Sequence, residues 1–366
     1  MEKAKSILYV VSREIQLMTV LNLCQKTGEN KDLLFVNYNS NKWNKLVKRL
    51  IDKDIFNNIY IYNKNEPIEN NTNNQWLQKD VIHSFDCNNR FSIDRYMSIF
   101  TSDITILDKY SQKIRESDIS INLFDEGVLS YFDSYIEQCN SFIECKDIYL
   151  YDPRLANYSK KYNLYKIDKI SSKNKELIEL YNYIFNYNEL LIGNGLLEIF
   201  FSQPFKNELS LKARLRKLFH LFQNRSIGEY VDYETARCQD NFINQIRLKK
   251  PNLLRKKHPI ESDIENTVDI DYPWELYLLN NDEVKVKQYS LYSSVLCCHM
   301  ILNESYNIKS YYLYPYVVKL ISEKYKIDNS ILINELTQFF NKAEKLGYVT
   351  SVKNLHDLGE SINEEI

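Results

Sequence analysis

Two carboxylates and a glycine, Asp125, Glu126 and Gly127, stand directly behind an apolar run in LFDEGVLSY. A carboxylate at the end of a strand can accept a proton from a substrate hydroxyl; a polar turn closed by glycine leaves the same signature. His258 stands in LLRKKHPIES, with Lys256 and Lys257 before it and Pro259 behind it. Proline restricts the backbone of the residue it follows, and so limits where the imidazole points. The two lysines favour an anion nearby, although a solvated strand edge also carries lysine. Ser293 and Ser294 in YSSVLCCHM mark a helix start. Serine is a common helix cap there, and the hydroxyls and unpaired N–H groups of a helix start also suit a phosphate. Glu275, in PWELYLL, stands near another helix start, where a carboxylate stabilises the dipole or holds ribose hydroxyls.

Other matches carry less. Asp269 to Asp271 spell DID, the spacing of metal-dependent nucleotide-sugar enzymes, but 49 acidic residues make such triplets frequent. The glycines of GNG, Gly193 and Gly195, precede a strand-like run instead of following one, and so lack the context of a dinucleotide loop. His220 and His299 stand in apolar helical runs and read as core or interface residues. The basic, amphipathic KARLRKLFHLFQNR reads as a solvated helix face in preference to a membrane anchor.

The candidate residues need a scaffold, and its pattern is repetitive. SILYVVS is a β-branched and aromatic run followed by the helical REIQLMTVLNLCQ, and DLLFVNY, NNIYIYNK and CKDIYLYDPRL continue as strands. DITILDKY and ISINLFDEG read as further strands or short buried segments, and KWNKLVKRLIDK as a helix. From Asn157 to Asn188 the chain is polar and tyrosine-rich, a connector ending in a helix. A second series follows, with strands at LLEIFFSQPF, NLLRKKHP and IKSYYLYPYV, a helix at LSLKARLRKLFHLFQNR, and VKVKQYSLYSSVLCCHMIL as a turn feeding a helix. The expected fold is α/β, with two Rossmann-like domains facing a central cleft, and ligands at the carboxyl ends of parallel strands. The expected division is 1–156 for the amino-terminal domain, 157–188 for the connector, 189–320 for the second domain and 321–366 for a helical tail.

At 366 residues the chain exceeds one usual core, in keeping with two domains. Its 47 basic and 49 acidic residues leave a net charge of −2, so no global field favours nucleic acid, and any basic site is local. Seven cysteines without a CxxC point to neither a disulfide framework nor a zinc site. The five-residue apolar run near the amino terminus is too short for a signal peptide, and no segment approaches a membrane span. A cytoplasmic location is expected, compatible with peripheral contact at the inner face of the plasma membrane and with a homodimer.

Taken in order, Asp-Glu-Gly, His-Pro, the glutamate and Ser-Ser resemble the motifs of the bacterial sialyltransferases of glycosyltransferase family 52, relatives of the polysialyltransferases. ILYVVSREIQ, YLYDPRL and IFFSQPF are similar to segments at corresponding places in that family. The resemblance is spread over most of residues 1–310 in very short motifs. It implies the GT-B arrangement, CMP-sialic acid as donor, a galactose-terminated oligosaccharide of a capsule or lipooligosaccharide as acceptor, and inversion without metal or other cofactor. It further implies Asp125 as general base and His258 at the departing CMP phosphate. Glu275 would hold the cytidine ribose, and Ser293 and Ser294 the phosphate, with Gly127 and Pro259 completing the donor site. A transferase for another CMP-sugar such as CMP-Kdo, or a nucleotide-sugar-binding protein without turnover, would share these features.

Overall fold

The computed structural model describes residues 6–25, 30–37, 40–63, 92–104, 107, 110–189, 195–205, 224–258, 267–268, 270–303, 307–325 and 331–364. The chain divides into two compact units. The first comprises Met1–Glu189, Tyr272–Asn280 and Ile301–Asn303; the second comprises Leu190–Asp271, Asn281–Met300 and Glu304–Ile366.

In the first unit the order is β1 (Ser6–Val11), α1 (Glu14–Cys24), β2 (Lys31–Asn37), α2 (Ser40–Asp52), β3 (Asn58–Asn63) and β4 (Tyr96–Thr101). Then come α3 (Ser111–Glu116), β5 (Ser120–Phe124), α4 (Asp133–Phe142), β6 (Asp147–Leu150), β7 (Asn163–Lys166) and α5 (Lys175–Phe185). The strands form one parallel sheet in the order β3-β2-β1-β4-β5-β6-β7. From β1 the chain lays strands outward to β3. It then returns to the other side of β1 and continues outward from β4 to β7, so strand order reverses between β1 and β4. In open α/β sheets, ligands bind outside the carboxyl ends of the strands at such a reversal.

Burial explains the strand pattern. Ile7, Leu8, Tyr9, Val10 and Val11 are all buried, as expected for a central strand covered on both faces, and Tyr9 stacks on Phe100 of β4. Asp32 is pinned inside by donors from Asn58 Nδ2 at 2.9 Å and the Tyr96 hydroxyl at 2.8 Å. The segment expected to be a connector ending in a helix, 157–188, has that helix, α5, but also supplies strand β7, and both belong to this unit. All four β7 residues are exposed, so no apolar alternation marks it as a strand. Its place comes from backbone pairing with β6 and from Tyr165 stacked on Tyr149. The helix Trp274–Asn280, expected in the second domain, also belongs here. Trp274 and Tyr277 stack on one another, and Asn280 exchanges side-chain hydrogen bonds of 2.8 Å with Asn182 of α5.

The second unit contains β8 (Leu196–Phe201), α6 (Asn224–Lys249), β9 (Leu254–Lys256), β10 (Lys285–Ser290), β11 (Ile308–Tyr312), α7 (Tyr314–Tyr325), α8 (Ile331–Lys345), β12 (Thr350–Ser351) and α9 (Leu355–Asn363). Its sheet is parallel, in the order β12-β11-β10-β8-β9, with the reversal of strand order between β8 and β10. KVKQYS, expected to be part of a turn, is β10, the central strand. Two lysines and a glutamine disguise it. Lys287 is wholly buried because its ammonium donates to the carbonyls of Ser361 and Ile362 at 3.1 and 3.2 Å, with Glu198 Oε1 3.9 Å away. Nor does the tail stand apart. Strand β12 pairs with β11, Phe340 stacks on Tyr312, and Leu358 and Ile362 enter the core. Among the described residues, no helix is long and apolar enough to cross a membrane.

Candidate active site

At the carboxyl end of β5 the chain leaves the sheet through Asp125, whose N–H still donates to Tyr149 O at 2.9 Å. Its carboxylate turns inward. Gly127 N–H donates to Oδ1 at 2.8 Å, while Oδ2 accepts from the Tyr131 hydroxyl in a short hydrogen bond and from Tyr151 N–H at 3.2 Å. Gly127 has a φ of 120°, a conformation closed to most side chains, and this lets the loop fold back onto the acid. Asp125 is 4% exposed. Burial pushes its pKa up to about 6, against the pull of the hydrogen bonds from Tyr131, Gly127 and Tyr151.

Glu126 faces differently. It is half-buried, and its N–H is held by Ser130 Oγ at 2.9 Å. Its Oε2 lies 3.3 Å from Gln16 Nε2, in the first turn of α1. Burial raises its pKa to about 7, with Asp103 and Asp125 adding to the rise while Arg13 and the nearby Tyr135 oppose it. Arg13 follows β1, Asp103 follows β4, and the Tyr135 hydroxyl donates to Ser102 O at 2.6 Å. Glu126 therefore stands where β1, β4 and β5 end, at the reversal of strand order. Sequence reasoning missed Gln16, Tyr131 and Tyr151; a glutamine within the apolar helix QLMTVLNL is the one signal that could have marked Gln16.

Glu275 occupies the first turn of the helix Trp274–Asn280, as expected, but it is buried in the first unit and not in the second. Its charge helps raise the Tyr151 phenol, a smaller influence than burial or the charge of Asp125. It thus belongs to the acid-bearing unit, because the stacked Trp274 and Tyr277 and the Asn182–Asn280 pair tie its helix there. Further along the same sheet edge, past β7, Lys166, Asp168, Lys169 and Asn303 line a polar cavity of about 420 Å³.

In the second unit, the ends of β9, β8 and β10 lie side by side. His258 stands two residues beyond β9 and is half-buried. Ser293 follows β10 and opens the short helical turn Ser294–Cys297, where its Oγ accepts from Val295 N–H at 3.4 Å. The cap reading of this serine therefore has a geometric basis. Both serines remain half-buried. One strand separates β9 from β10, about 10 Å at ordinary strand spacing, so His258 and the serine pair flank the end of β8 on one edge. Beneath them Arg255 is buried, donating to Ser202 Oγ at 2.7 Å and pairing with Asp240 at 3.3 Å. Gln239 brackets the chain after β8, accepting from Gln203 N–H at 2.8 Å and donating to Gln203 O at 3.2 Å. His299 faces Ile308 O and the Tyr348 ring, a packing role. Pro259, Asp269, Gly193, His220, Cys87 and all of KARLRKLFHLFQNR except its last two residues lie outside the described residues.

The structure thus brings Asp125, Gly127 and Glu275 into one unit, and His258, Ser293 and Ser294 onto one edge of the other. No protein-family model and no curated protein matches the chain. Among solved structures, the chain is similar to the "Candida albicans trehalose-6-phosphate phosphatase N-terminal domain", at 8% identity and a TM-score of 0.33, over 99% of this chain and 97% of that one. A likeness at this level bears on neither mechanism nor substrate.

Proposed function

We propose that the protein is an inverting, metal-independent sialyltransferase, moving sialic acid from CMP-sialic acid to a terminal galactoside of a bacterial capsule or lipooligosaccharide. The observation that supports it best is the sorting of the motif residues. Among the motif residues, Asp125 and Glu126 stand at the strand ends of one parallel sheet, whereas His258 and the serine pair stand at those of the other. Transfer with inversion needs one group that removes a proton and a separate set that receives the leaving phosphate. In this reading the units adopt the GT-B arrangement, and the protein works in the cytoplasm or against the inner face of the plasma membrane.

The bonds balance without a further reactant. The acceptor hydroxyl oxygen attacks the anomeric carbon of the sialyl group, and the bond from that carbon to the CMP phosphate breaks with its electron pair leaving on phosphate. The hydroxyl proton passes to a carboxylate of the Asp125–Glu126 pair, of which the family resemblance implies Asp125. His258 and the hydroxyl and N–H groups at Ser293 and Ser294 stabilise the charge on the departing phosphate. Glu275 is assigned to the ribose by resemblance alone.

The test is CMP release from CMP-sialic acid with and without lactose-type acceptors, with product linkage read by NMR. Acceptor-dependent release and an inverted product support the reading. Turnover of CMP-Kdo alone would move the function to another CMP-sugar, and CMP binding without any release would make the protein a nucleotide-sugar binder. Loss of turnover in excess EDTA, restored by magnesium or manganese, would contradict metal independence.

A further inference from the structure

We propose that the polar cavity beyond β7, lined by Lys166, Asp168, Lys169 and Asn303, is an anion site that takes a carboxylate or phosphate group of the acceptor. The assignment to the acceptor rests on the transferase reading above, whereas the anion site does not. All four residues belong to the first unit. The cavity, about 420 Å³, has the size of a small-ligand site. It is reachable as it stands, since Lys166, Asp168 and Asn303 are exposed. The segment that carries the lysines is pinned at both ends. Ile167 N–H donates to Leu150 O at 2.8 Å, while Ile170 N–H donates to Ile301 O at 2.8 Å and its carbonyl accepts from Asn303 N–H at 2.9 Å. Both isoleucines are buried, and between them Asn22 of α1 donates to Asp168 O at 2.8 Å. A loop held in this way keeps the Lys169 backbone in place, so little ordering is left for a ligand to impose.

Charge gives the sign of that ligand. Among the lining residues, two lysines against one aspartate leave one positive charge. Beside them Arg154 and Asp152 offset one another, since the Asp152 carboxylate accepts from Arg154 N–H, Nε and Nη2 at 3.2, 2.8 and 2.6 Å. Lys169 is half-buried, and burial lowers its pKa; Lys166 and Arg154 lower it further, with Asp152 opposing. An anion in the cavity would restore to this ammonium what burial and the neighbouring cations remove. The site also shares an edge with the acids. The registers set Phe124 level with Tyr149 and Leu150 level with Lys166, so Asp125 and Lys166 stand at one height, two strands or about 10 Å apart. A polar path runs between them: the Tyr131 hydroxyl donates to Asp125, and Asp152 N–H donates to the Tyr131 oxygen at 3.4 Å. One acceptor molecule can then present its hydroxyl to the acid pair and its anion to the lysines.

Acetylation of lysines by a water-soluble active ester, read residue by residue by mass spectrometry on the full chain, tests the site. Inorganic phosphate and acetate are added at constant ionic strength, with lactose as the neutral control. The anions should protect Lys166 and Lys169 at concentrations that leave the exposed Lys45 and Lys48 labelled as before, and lactose should protect neither. Phosphate acting at the lower concentration identifies a phosphate group, and acetate a carboxylate. Asp168→Asn should lower the concentration needed to protect Lys169, and Lys166→Met should raise it about tenfold, the loss of one hydrogen bond to a charged group. Protection of all lysines alike, or of none, would overturn the anion site. For the acceptor, kcat/KM is compared between lactose and lactose bearing a phosphate or carboxylate. Lys169→Met should cut the preference for the charged acceptor about tenfold through KM; an unchanged preference would overturn the assignment to the acceptor. Wild type without turnover on any CMP-sugar would remove the transferase reading, and the labelling would still decide the anion site.

Discussion

At the carboxyl edges of the two sheets, the acid pair of one and the Arg255–His258 stretch of the other follow one plan. Each has a buried ionic residue that gathers the backbone and side chains around it, and a half-buried residue nearby. On the seven-stranded sheet the buried residue is Asp125, surrounded by donors, and the half-buried one is Glu126. On the five-stranded sheet the buried residue is Arg255, which reaches Ser202 and Asp240, and the half-buried one is His258, three positions on. A group that works on a ligand has to be reachable, whereas the group that fixes it is best removed from solvent, where each hydrogen bond is stronger. Burial alone is thus a poor guide to which of two charged neighbours does chemistry.

His258→Ala should lower sialyl transfer about 10²–10³-fold, the usual cost of a lost donor to developing charge, and weaken CMP binding without changing the melting temperature. A fall in stability that matched the fall in activity would class it with Arg255. Next comes Ser293→Ala, with Ser294→Ala beside it. A hydrogen bond to a charged phosphate contributes about 1.5–3 kcal/mol, so calorimetry should show a clear loss of CMP affinity. Unchanged affinity with about 1 kcal/mol less stability would leave Ser293 as the helix cap its contact with Val295 allows.

The buried residues should respond the other way. Tyr131→Phe, which deprives Asp125 of a hydroxyl donor, should cost about 1–3 kcal/mol of stability by urea unfolding, and Arg255→Met should act in the same range through Ser202 and Asp240. The smallest effect is a slope. Glu126 has its folded pKa raised from 4.5 to about 7, so the folded state holds the proton more tightly than the unfolded chain. Its contribution to stability is full below about pH 4.5 and is lost as pH rises through about 7. Glu126→Gln should flatten the decline in stability over that window; an unaltered slope would mean that the carboxylate is not held as the structure has it.

Much was legible before any coordinates. Apolar β-branched runs such as ILYVV identify strands covered on both faces, because a parallel sheet buries both sides of each strand. Asp-Glu-Gly, His-Pro and Ser-Ser could be singled out because turn residues and charges break such runs abruptly, and the structure places Asp125, His258 and Ser293 just past strand ends. Strands β7 and β10 were hidden for a physical reason: one is wholly exposed, and the other carries Lys287, whose burial depends on two carbonyls more than seventy residues away.

What the sequence by itself determined is which residue types lie at the ends of strands, since hydrophobic periodicity and its interruption are local properties. Only the tertiary structure decided which of two adjacent acids is enclosed, for that depends on Tyr131 and Tyr151 closing over Asp125 and on Gln16 reaching Glu126 from 110 residues away. The same holds for Glu275. Its helix start was readable, but its place in the first unit came from packing of Trp274–Asn280. Side-chain direction and access are set by contacts between segments distant in sequence, and a one-dimensional pattern does not record them.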